Sequence, residues 1–359
     1  MGYFHLVLFS LIIVLCNIEN ISSQSFWQLT GPLSTTLGIK PLVTNSDGHI
    51  FAGTGGGTTG IEGNGVYRST DNGNSWTQSG LINLFIFDLA INSSGHIFAG
   101  TMNQGVWRST NNGDSWTQIN DGFNSLDNTV NSLAINSFGH IYAGSVNSIY
   151  RSTNNGNSWT AINSPNYNGF YPLVINSNND IVVGAGSRLF RSTNNGQNWT
   201  EITIANAQTG SVAFNELGHL FVGNLLGIYR STNNGDNWTQ INNGINVGSF
   251  IAVNDFSINS VGTIYVGLGG GFSGTSKGVF YSTNNGDNWF ELNDGLINNT
   301  LRSLTIDHDD FLYAGNKEGQ VYKTTNPSTA NSLSKTLTEL NILVSNIQSA
   351  ISTINFSPP

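Results

Sequence analysis

Short apolar runs alternate with polar turns along most of this chain. Runs such as those at residues 88–92 and 96–99 are too short for helices, and Gly, Asn and Ser separate them from their neighbours. Short segments rich in β-branched and aromatic residues, bounded by such turn residues, are typical of strands. Gly, Asn, Ser and Thr are abundant throughout, whereas helix formers are scarce. The pattern therefore predicts an all-β chain of many short strands.

One segment recurs in six near-copies and organises this pattern. The copy at residues 150–160 reads Tyr-Arg-Ser-Thr-Asn-Asn-Gly-Asn-Ser-Trp-Thr, and the others occupy residues 67–77, 107–117, 190–200, 229–239 and 280–290. Asn-Gly between two β-prone runs is a strong hairpin signal, because both residues accept positive φ. The Ser and Asn side chains can bond to nearby backbone N–H groups. The Trp anchors the strand that follows. We interpret the segment as a structural hairpin, not a catalytic motif.

Two further runs complete the repeat. A run of the type Gly-His-Ile-Phe-Ala-Gly begins at residues 48, 95, 139, 179, 218, 262 and 310, and a run of the type Leu-Ala-Ile-Asn precedes it. Each unit thus contains four strands, which we name A to D in chain order; the six-fold segment joins C to D. Repeats of about 40 to 50 residues with four strands each predict the blades of a β-propeller.

The ends of the repeat array predict how the propeller closes. Seven units have strands A to C, but the last, ending Val-Tyr-Lys-Thr-Thr-Asn at 321–326, has no Gly or Trp of the hairpin. The segment Ser-Phe-Trp-Gln-Leu-Thr at 25–30 matches a strand D. We therefore predict an all-β, seven-bladed β-propeller of four-stranded blades, closed by the N-terminal strand. Such closure removes the open edges that promote aggregation.

The recurring hairpin resembles the Asp-box, also called the bacterial neuraminidase repeat. The resemblance extends over residues 27–326 and implies a propeller. It says little about activity, because similar propellers include sialidases, xyloglucanases, sorting receptors and the photosystem II assembly factor. Only Asp71 keeps the acidic residue of the motif, and this departure argues against metal binding through the box. The other five copies have Asn111, Asn154, Asn194, Asn233 and Asn284.

The N-terminal segment indicates export. Residues 4–15 form an apolar run too short to span a membrane and placed where a secretory signal belongs. We predict a signal peptide at 1–23, the propeller at 24–327, and a secreted, periplasmic or cell-surface protein without a transmembrane segment after cleavage. A lipid anchor at Cys16 is the alternative, although Leu15 stands where such a signal has a small residue. Cys16 is the only cysteine, so the propeller contains no disulfide.

A different pattern occupies the last residues, 328–359. Seven apolar residues follow a 4-3 spacing there: Leu333, Leu337, Leu340, Val344, Ile347, Ile351 and Ile354. This spacing predicts a short C-terminal amphipathic or coiled-coil helix. Three interpretations remain open: a homo-oligomer formed through this helix, a single helix packed on the propeller wall, and the start of an extension in a longer protein.

Charge and repeated polar residues narrow the function classes. The formal net charge is -9, and the twelve basic residues form no cluster, so nucleic acid is not expected as a partner. The Arg residues recur once per blade and the His residues likewise, which predicts structural roles. These are Arg68, Arg108, Arg151, Arg191 and Arg230, and His49, His96, His140 and His219. No spacing typical of a catalytic triad, phosphate loop or metal site occurs, so we expect no catalytic residues, cofactor or metal.

The strand order separates two faces of the ring. The A–B and C–D turns share one face, here called the turn face, and they are nearly identical between blades. The B–C and D–A loops share the other, here called the variable face, which is the expected binding face. Strand A is innermost, and its alternation places one residue per blade at the channel mouth on the variable face. The candidate ligand-binding residues are Asp88, Asp255, Phe87, Tyr171, Arg302, Ser132, Ser211 and Ser303.

Asp88 and Asp255 come from blades that are not neighbours. We therefore expect them to lie too far apart to share a proton and to keep pKa values near the ordinary ones, which disfavours acid/base catalysis by this pair. The box Trp, for example Trp199, is expected to be buried between sheets. The predicted function is an exported, non-catalytic propeller that binds a glycan or an extracellular protein through its variable loops. One alternative is a glycoside hydrolase, sialidase-like or glucanase-like, with acids at the mouth; another is an assembly factor for a membrane complex.

Overall fold

The computed structural model describes residues 25–56, 62–125, 127–162, 165, 172–204, 208–245, 252–269 and 276–328. The described residues form strands, turns and loops, without a helix. No helix among them is long and apolar enough to cross a membrane. The predicted signal peptide, the predicted C-terminal helix and Tyr171 lie outside the described residues.

Seven four-stranded sheets form the blades. Blade 1 contains β2 (Ile39–Thr44), β3 (Ile50–Thr54), β4 (Val66–Ser69) and β5 (Thr77–Gly80). Blade 2 contains β6 (Ile86–Ile91), β7 (Ile97–Thr101), β8 (Gly105–Ser109) and β9 (Thr117–Gln118). Blade 3 contains β10 (Val130–Ile135), β11 (Ile141–Ser145), β12 (Ile149–Ser152) and β13 (Thr160–Ile162). Blade 4 contains β14 (Leu173–Ile175), β15 (Ile181–Ala185), β16 (Arg188–Ser192) and β17 (Thr200–Ile202).

The remaining blades follow the same order. Blade 5 contains β18 (Thr209–Phe214), β19 (Leu220–Asn224), β20 (Gly227–Ser231) and β21 (Thr239–Gln240). Blade 6 contains β22 (Ala252–Ile258), β23 (Ile264–Gly269), β24 (Gly278–Ser282) and β25 (Phe290–Glu291). Blade 7 contains β26 (Leu301–Ile306), β27 (Leu312–Asn316), β28 (Val321–Thr324) and, as its outer strand, β1 (Trp27–Leu29). The predicted seven-bladed, four-stranded propeller is therefore confirmed.

The N-terminal strand closes the ring as predicted. It pairs antiparallel with β28, with Trp27 opposite Thr324 and Leu29 opposite Tyr322. The first strand of every blade contacts the first strands of both neighbouring blades, including β2 of blade 1 against β26 of blade 7. The second strands are buried along their whole length. Apolar clusters between adjacent sheets form the core.

The recurring Arg residues tie neighbouring blades together. Nη1 of Arg230 in blade 5 donates to the backbone oxygen of Asn285 at 2.5 Å and to Asp287 at 2.8 Å, both in the hairpin of blade 6. Arg68, Arg108 and Arg191 make the same two contacts with the next blade. Charged donors hold backbone carbonyls more strongly than neutral ones. The predicted structural role of these arginines is confirmed.

The box Trp residues fall into two classes, which the sequence analysis did not anticipate. Trp159, Trp289 and Trp27 are buried, whereas Trp76, Trp116, Trp199 and Trp238 are partly exposed. The backbone N–H of each buried Trp donates to the backbone oxygen of an Asp or Asn in the D–A loop of the preceding blade. A glycine follows that Asp or Asn in each case. In blade 5 this glycine is Gly244, with φ +92°, and an added Cβ would lie 2.1 Å from the backbone oxygen of Trp289.

The signal for this difference is a short motif after strand D. Residues 120–123, 242–245 and 293–296 read Asn, then Asp or Asn, then Gly, then a large apolar residue. The apolar residue packs in the same cluster as the Trp of the next blade, as Ile245 does with Trp289. Trp199 is partly buried rather than fully buried as expected. In the sequence, Asn-Ser-Pro at 163–165 stands where the covering motif has Asn, Asp or Asn, and Gly.

Candidate ligand-binding site at the channel mouth

A β-bulge lies at the mouth end of the inner strand in six of the blades. The register shifts between Ile39 and Leu42, Ile86 and Asp88, Val130 and Ser132, Thr209 and Ser211, Val253 and Asp255, and Leu301 and Ser303. A bulge leaves a residue unpaired and re-aims its side chain. The residues just before the predicted mouth position line the central cavity as a result. They are Lys40, Phe87, Asn131, Gly210, Asn254 and Arg302.

This central cavity has a volume of about 620 Å³ and is lined by residues from all seven blades. A second cavity of about 500 Å³ opens between blades 5, 6 and 7. The two share Gln208, Thr209, Gly210, Asn254 and Arg302. Arg302 therefore stands at the boundary between the axial cavity and a side lobe that contains Lys317.

Most of the predicted site residues meet at this cavity. Asp88, Asp255, Phe87, Arg302, Ser132 and Ser211 line it. Ser303 is instead buried, with 3% of its surface exposed, and an ideal Cβ on Gly315 would be 2.7 Å from its hydroxyl. Ser303 thus lies behind the cavity wall, against the second strand of its own blade.

Both carboxylates bridge adjacent blades through backbone amides. Oδ1 of Asp88 accepts from the amide of Leu89 at 2.8 Å, and Oδ2 accepts from the amide of Leu133 in blade 3 at 2.7 Å. Asp255 repeats this arrangement with Phe256 and with Leu304 in blade 7, both at 2.9 Å. Each carboxylate therefore joins two inner strands, in addition to facing the cavity.

Burial raises the pKa of Asp88 to about 7, although the two amide hydrogen bonds and the charge of Lys40 act in the opposite direction. Burial likewise raises the pKa of Asp255 to about 7, and the charge of Asp88 adds to the rise. The expectation of ordinary pKa values is wrong. The two carboxylates come from blades that are not neighbours, but the surrounding strands desolvate each of them, and desolvation disfavours the charged form and raises the pKa.

We expect a pH titration to resolve two unusual aspartates. In a carbon-detected NMR titration, two carboxyl signals should shift near pH 7, and Asp88→Asn or Asp255→Asn should each remove one. In the folded chain both carboxyls have a pKa well above the ordinary value of roughly 3.9, so they bind protons more tightly than in the unfolded chain. Their stabilising contribution is therefore complete below about pH 4 and is lost as the pH rises through about 7. Titration of every aspartate below pH 5 would instead show that the carboxylates of Asp88 and Asp255 are hydrated and that burial does not raise their pKa.

Lys40 is the site residue that sequence reasoning missed. Its Nζ lies 4.9 Å from the ring centre of Phe87 and 5.5 Å from that of Phe85. The pKa of Lys40 is lowered to about 8, mainly by burial and also by the positive charge of Arg302, while the charge of Asp88 acts to raise it. Lys40 and Arg302 occupy the same bulge position in blades 1 and 7, and this alignment was a usable signal. Phe87 packs 4.5 Å from Phe85, so its ring supports Lys40.

Several polar atoms at the mouth have no hydrogen-bond partner among the described residues. They include both amide atoms of Asn131 and the hydroxyls of Ser132 and Thr209, all buried. Buried polar atoms in proteins are nearly always hydrogen-bonded. These atoms are enclosed in the wall beside the cavity and have no partner there among the described residues. No group of three or more His, Cys, Asp or Glu in the described part of the chain is arranged to hold a metal ion.

Comparisons with known proteins agree with this architecture. The family model described as the DUF6242 beta propeller domain matches residues 88–211. A search of curated proteins found no significant match. Among solved structures, the extracellular domain of BT4673 from B. thetaiotaomicron is similar, with 16% identity, a TM-score of 0.66, and coverage of 83% of this chain and 40% of that one. The chain thus spans less than half the length of this neighbour.

Two other neighbours are matched over nearly their whole length. YCF48 from Cyanidioschyzon merolae has 13% identity and a TM-score of 0.63, covering 84% of this chain and 98% of that one; a second structure shows YCF48 bound to D1 peptide. Virginiamycin B lyase from Staphylococcus aureus has 14% identity and a TM-score of 0.66, covering 84% and 99%. At these identities the likeness concerns the fold alone. This chain is a seven-bladed β-propeller, similar at residues 88–211 to the DUF6242 beta propeller domain.

Proposed function

We propose that this protein is an exported, non-catalytic binding propeller that holds a glycan or an extracellular protein at the channel mouth of its variable face. The observation that carries the proposal is the meeting of two cations, Lys40 and Arg302, at one cavity that all seven blades line. Asn131, Ser132 and Thr209 line the same cavity. A ligand with an acidic group could form charge-assisted hydrogen bonds with both cations there.

The two cations favour a ligand with an acidic group. Nη1 of Arg302 donates to the backbone oxygen of Gly55 at 3.3 Å, and Lys40 contacts aromatic rings. Neither forms an ion pair with a carboxylate of the described residues. The charges of Asp88 and Glu318 act on Lys40 and Arg302 only from a distance, and desolvated cations are costly without a direct partner. A carboxylate or similar anion between Lys40 and Arg302 would therefore be favoured.

The position of the chain ends supports presentation of the variable face. Ser25 and Ser328, the first and last described residues, both lie at the turn face, where the hydroxyl of Thr325 donates to the backbone oxygen of Ser25 at 3.2 Å. Both ends of the described propeller therefore lie on the side opposite the mouth. Protein binding by this fold has a precedent in YCF48 bound to D1 peptide, which also keeps an assembly-factor role among the candidates.

A second candidate is a glycoside hydrolase that uses Asp88 or Asp255. The observation that favours it is the pKa of about 7 of both groups, since a general acid works best near the operating pH. Against it, both oxygens of each carboxylate already accept backbone hydrogen bonds. Protonation would weaken bonds that join neighbouring blades. A structural role for the two carboxylates therefore accounts for the geometry better.

Glycan and peptide arrays probed with residues 24–359 test the binding proposal. The double variant Lys40→Met, Arg302→Gln should lose acidic ligands found with the unmodified protein. Each charged hydrogen bond contributes about 1.5–3 kcal/mol, or about tenfold in affinity or more. Arg188→Gln is the matched control, because Arg188 is exposed and pairs with Glu201 away from the cavity.

The outcomes separate the candidates. Equal binding by the double variant would move the site away from the mouth, onto the loops. Turnover of a bound glycan that Asp88→Asn abolishes would establish the hydrolase instead. Asp88→Asn is a poor probe of binding itself, because it also removes an acceptor from a backbone amide of blade 3. Unfolding midpoints of all variants would show whether a loss of binding reflects a loss of structure.

A further inference from the structure

Three large apolar side chains are exposed at one equivalent position of the turn face. Each is the third residue of an A–B turn, in blades 3, 5 and 6. They are Phe138, Leu217 and Val261, and their exposed fractions are 69%, 74% and 53%. The same position holds a polar residue in the other blades, namely Asp47, Ser94, Asn178 and Asp309. Single exposed apolar residues are ordinary. Three at one equivalent position of the repeat give a matching apolar segment several contacts on the same face of the ring.

The chain itself leaves the propeller beside this set. Ser328 is buried, its amide donates to the backbone oxygen of Asp310 at 2.5 Å, and its own oxygen accepts from Nδ2 of Asn259 at 2.6 Å and from the hydroxyl of Tyr265. Asn259 begins the turn that carries Val261, and its Oδ1 accepts from the Val261 amide at 3.3 Å. Ser328, the last described residue, therefore lies next to the turn that carries Val261.

The segment that follows has a matching apolar stripe. Its seven Leu, Val and Ile residues from Leu333 to Ile354 repeat with 4-3 spacing, and Ser, Thr and Asn flank them. As a helix, residues 333–354 would be about 32 Å long at 1.5 Å per residue. Such a helix would present a series of apolar residues along one side. A stripe of this kind is stable only when another apolar surface covers it.

We propose that residues 329–359 fold back on the turn face, with their apolar stripe covering Val261, Leu217 and Phe138. The attachment at Ser328 favours this contact over association with a second copy. A short tether holds a segment at an effective concentration of about millimolar near its own propeller, well above ordinary solution concentrations of the protein. The docked segment covers the turn face and leaves the variable face as the open end of the channel.

Cysteine cross-linking of the full chain tests this contact directly. Cys16 is the only native cysteine, so in a Cys16→Ser background the introduced thiols are unique. Leu217→Cys is combined in turn with Leu337→Cys, Leu340→Cys or Val344→Cys and treated with a short bismaleimide at low protein concentration. We expect an intramolecular cross-link in monomers. Ile297→Cys with the same partners is the matched control and should give none, because Ile297 is 86% exposed but lies in the D–A loop after blade 6, outside the A–B turns.

Other results would overturn the proposal. Cross-linked dimers would show a coiled coil between copies, as would a sedimentation mass above that of a monomer. Absence of any cross-link from Leu217→Cys to the three partners would place the segment elsewhere. As a second readout, the triple variant Phe138→Ser, Leu217→Ser, Val261→Ser should make residues 329–359 about tenfold more sensitive to protease, since cleavage follows the open population. Ile297→Ser should not, and unchanged sensitivity of the triple variant would contradict docking.

Discussion

Removal of residues 25–31 is expected to lower the unfolding midpoint of the propeller more than any single substitution. The deletion takes the outer strand from blade 7 and with it Trp27, which is 1% exposed. Trp27 donates its indole N–H to the backbone oxygen of Leu292 at 2.7 Å and its amide to Asp294 at 2.9 Å, both in the chain after blade 6. The amide of Gly31 donates to the backbone oxygen of Gly73 at 2.7 Å in blade 1. The segment therefore joins three consecutive blades.

The size of the effect follows from what Trp27 alone contributes. Replacing a buried Trp by Ala costs about 3–5 kcal/mol, which is a large part of the roughly 5–15 kcal/mol that stabilises a domain. Guanidinium denaturation of the deletion variant and of Trp27→Ala measures it. Leu29→Ala is the control on the same strand, because Leu29 is half exposed and should change the midpoint little. An unchanged midpoint in the deletion variant would show that closure by this strand contributes nothing to stability.

Trp289→Ala should destabilise the protein far more than Trp199→Ala. Trp289 is 2% exposed, its indole N–H donates to the backbone oxygen of Ile241 at 2.7 Å, and Ile245 packs in the same cluster. We expect a loss of about 3–5 kcal/mol from the cavity and the buried acceptor left without a donor. Trp199 occupies the same repeat position but is only partly buried, so a loss of about 1 kcal/mol is expected, near the centre of the distribution for substitutions.

This pair of variants tests the role of the turn after strand D. Thermal or denaturant unfolding of both, with Trp159→Ala as a second covered case, would give the comparison. Equal losses for Trp289 and Trp199 would mean that coverage by the Asn-Asn-Gly-Ile turn at 242–245 does not matter. If both losses are equal and also as large as about 3–5 kcal/mol, Trp199 is buried between sheets.

The blade architecture was readable because its determinants are local. Asn-Gly hairpins require positive φ at two consecutive residues, and the structure has it at Asn72 and Gly73 and in the other boxes. Ser69 then binds the amide of Gly73 at 2.8 Å within the same turn. The closure followed from counting strands, since an incomplete unit at one end and a matching strand at the other can pair. None of these inferences required knowledge of distant contacts.

The site could be predicted only in part, because its chemistry depends on residues far apart in sequence. Strand alternation placed Asp88 and Asp255 at the mouth correctly. It did not predict the bulges, which bring Lys40 and Asn131 to the cavity and depend on the register between strands A and B. The raised pKa of Asp88 likewise arises from desolvation by all the strands that surround it.

What the sequence alone determined is thus the repeat, the blade hairpins and the order in which the strands close the ring, because turn chemistry and hydrophobic periodicity act over a few residues. The tertiary structure decided which Trp residues are covered, which side chains the bulges turn toward the channel, and how strongly the mouth perturbs its charged groups. Those properties come from burial, and burial at the axis exists only after seven blades from the whole chain have met there.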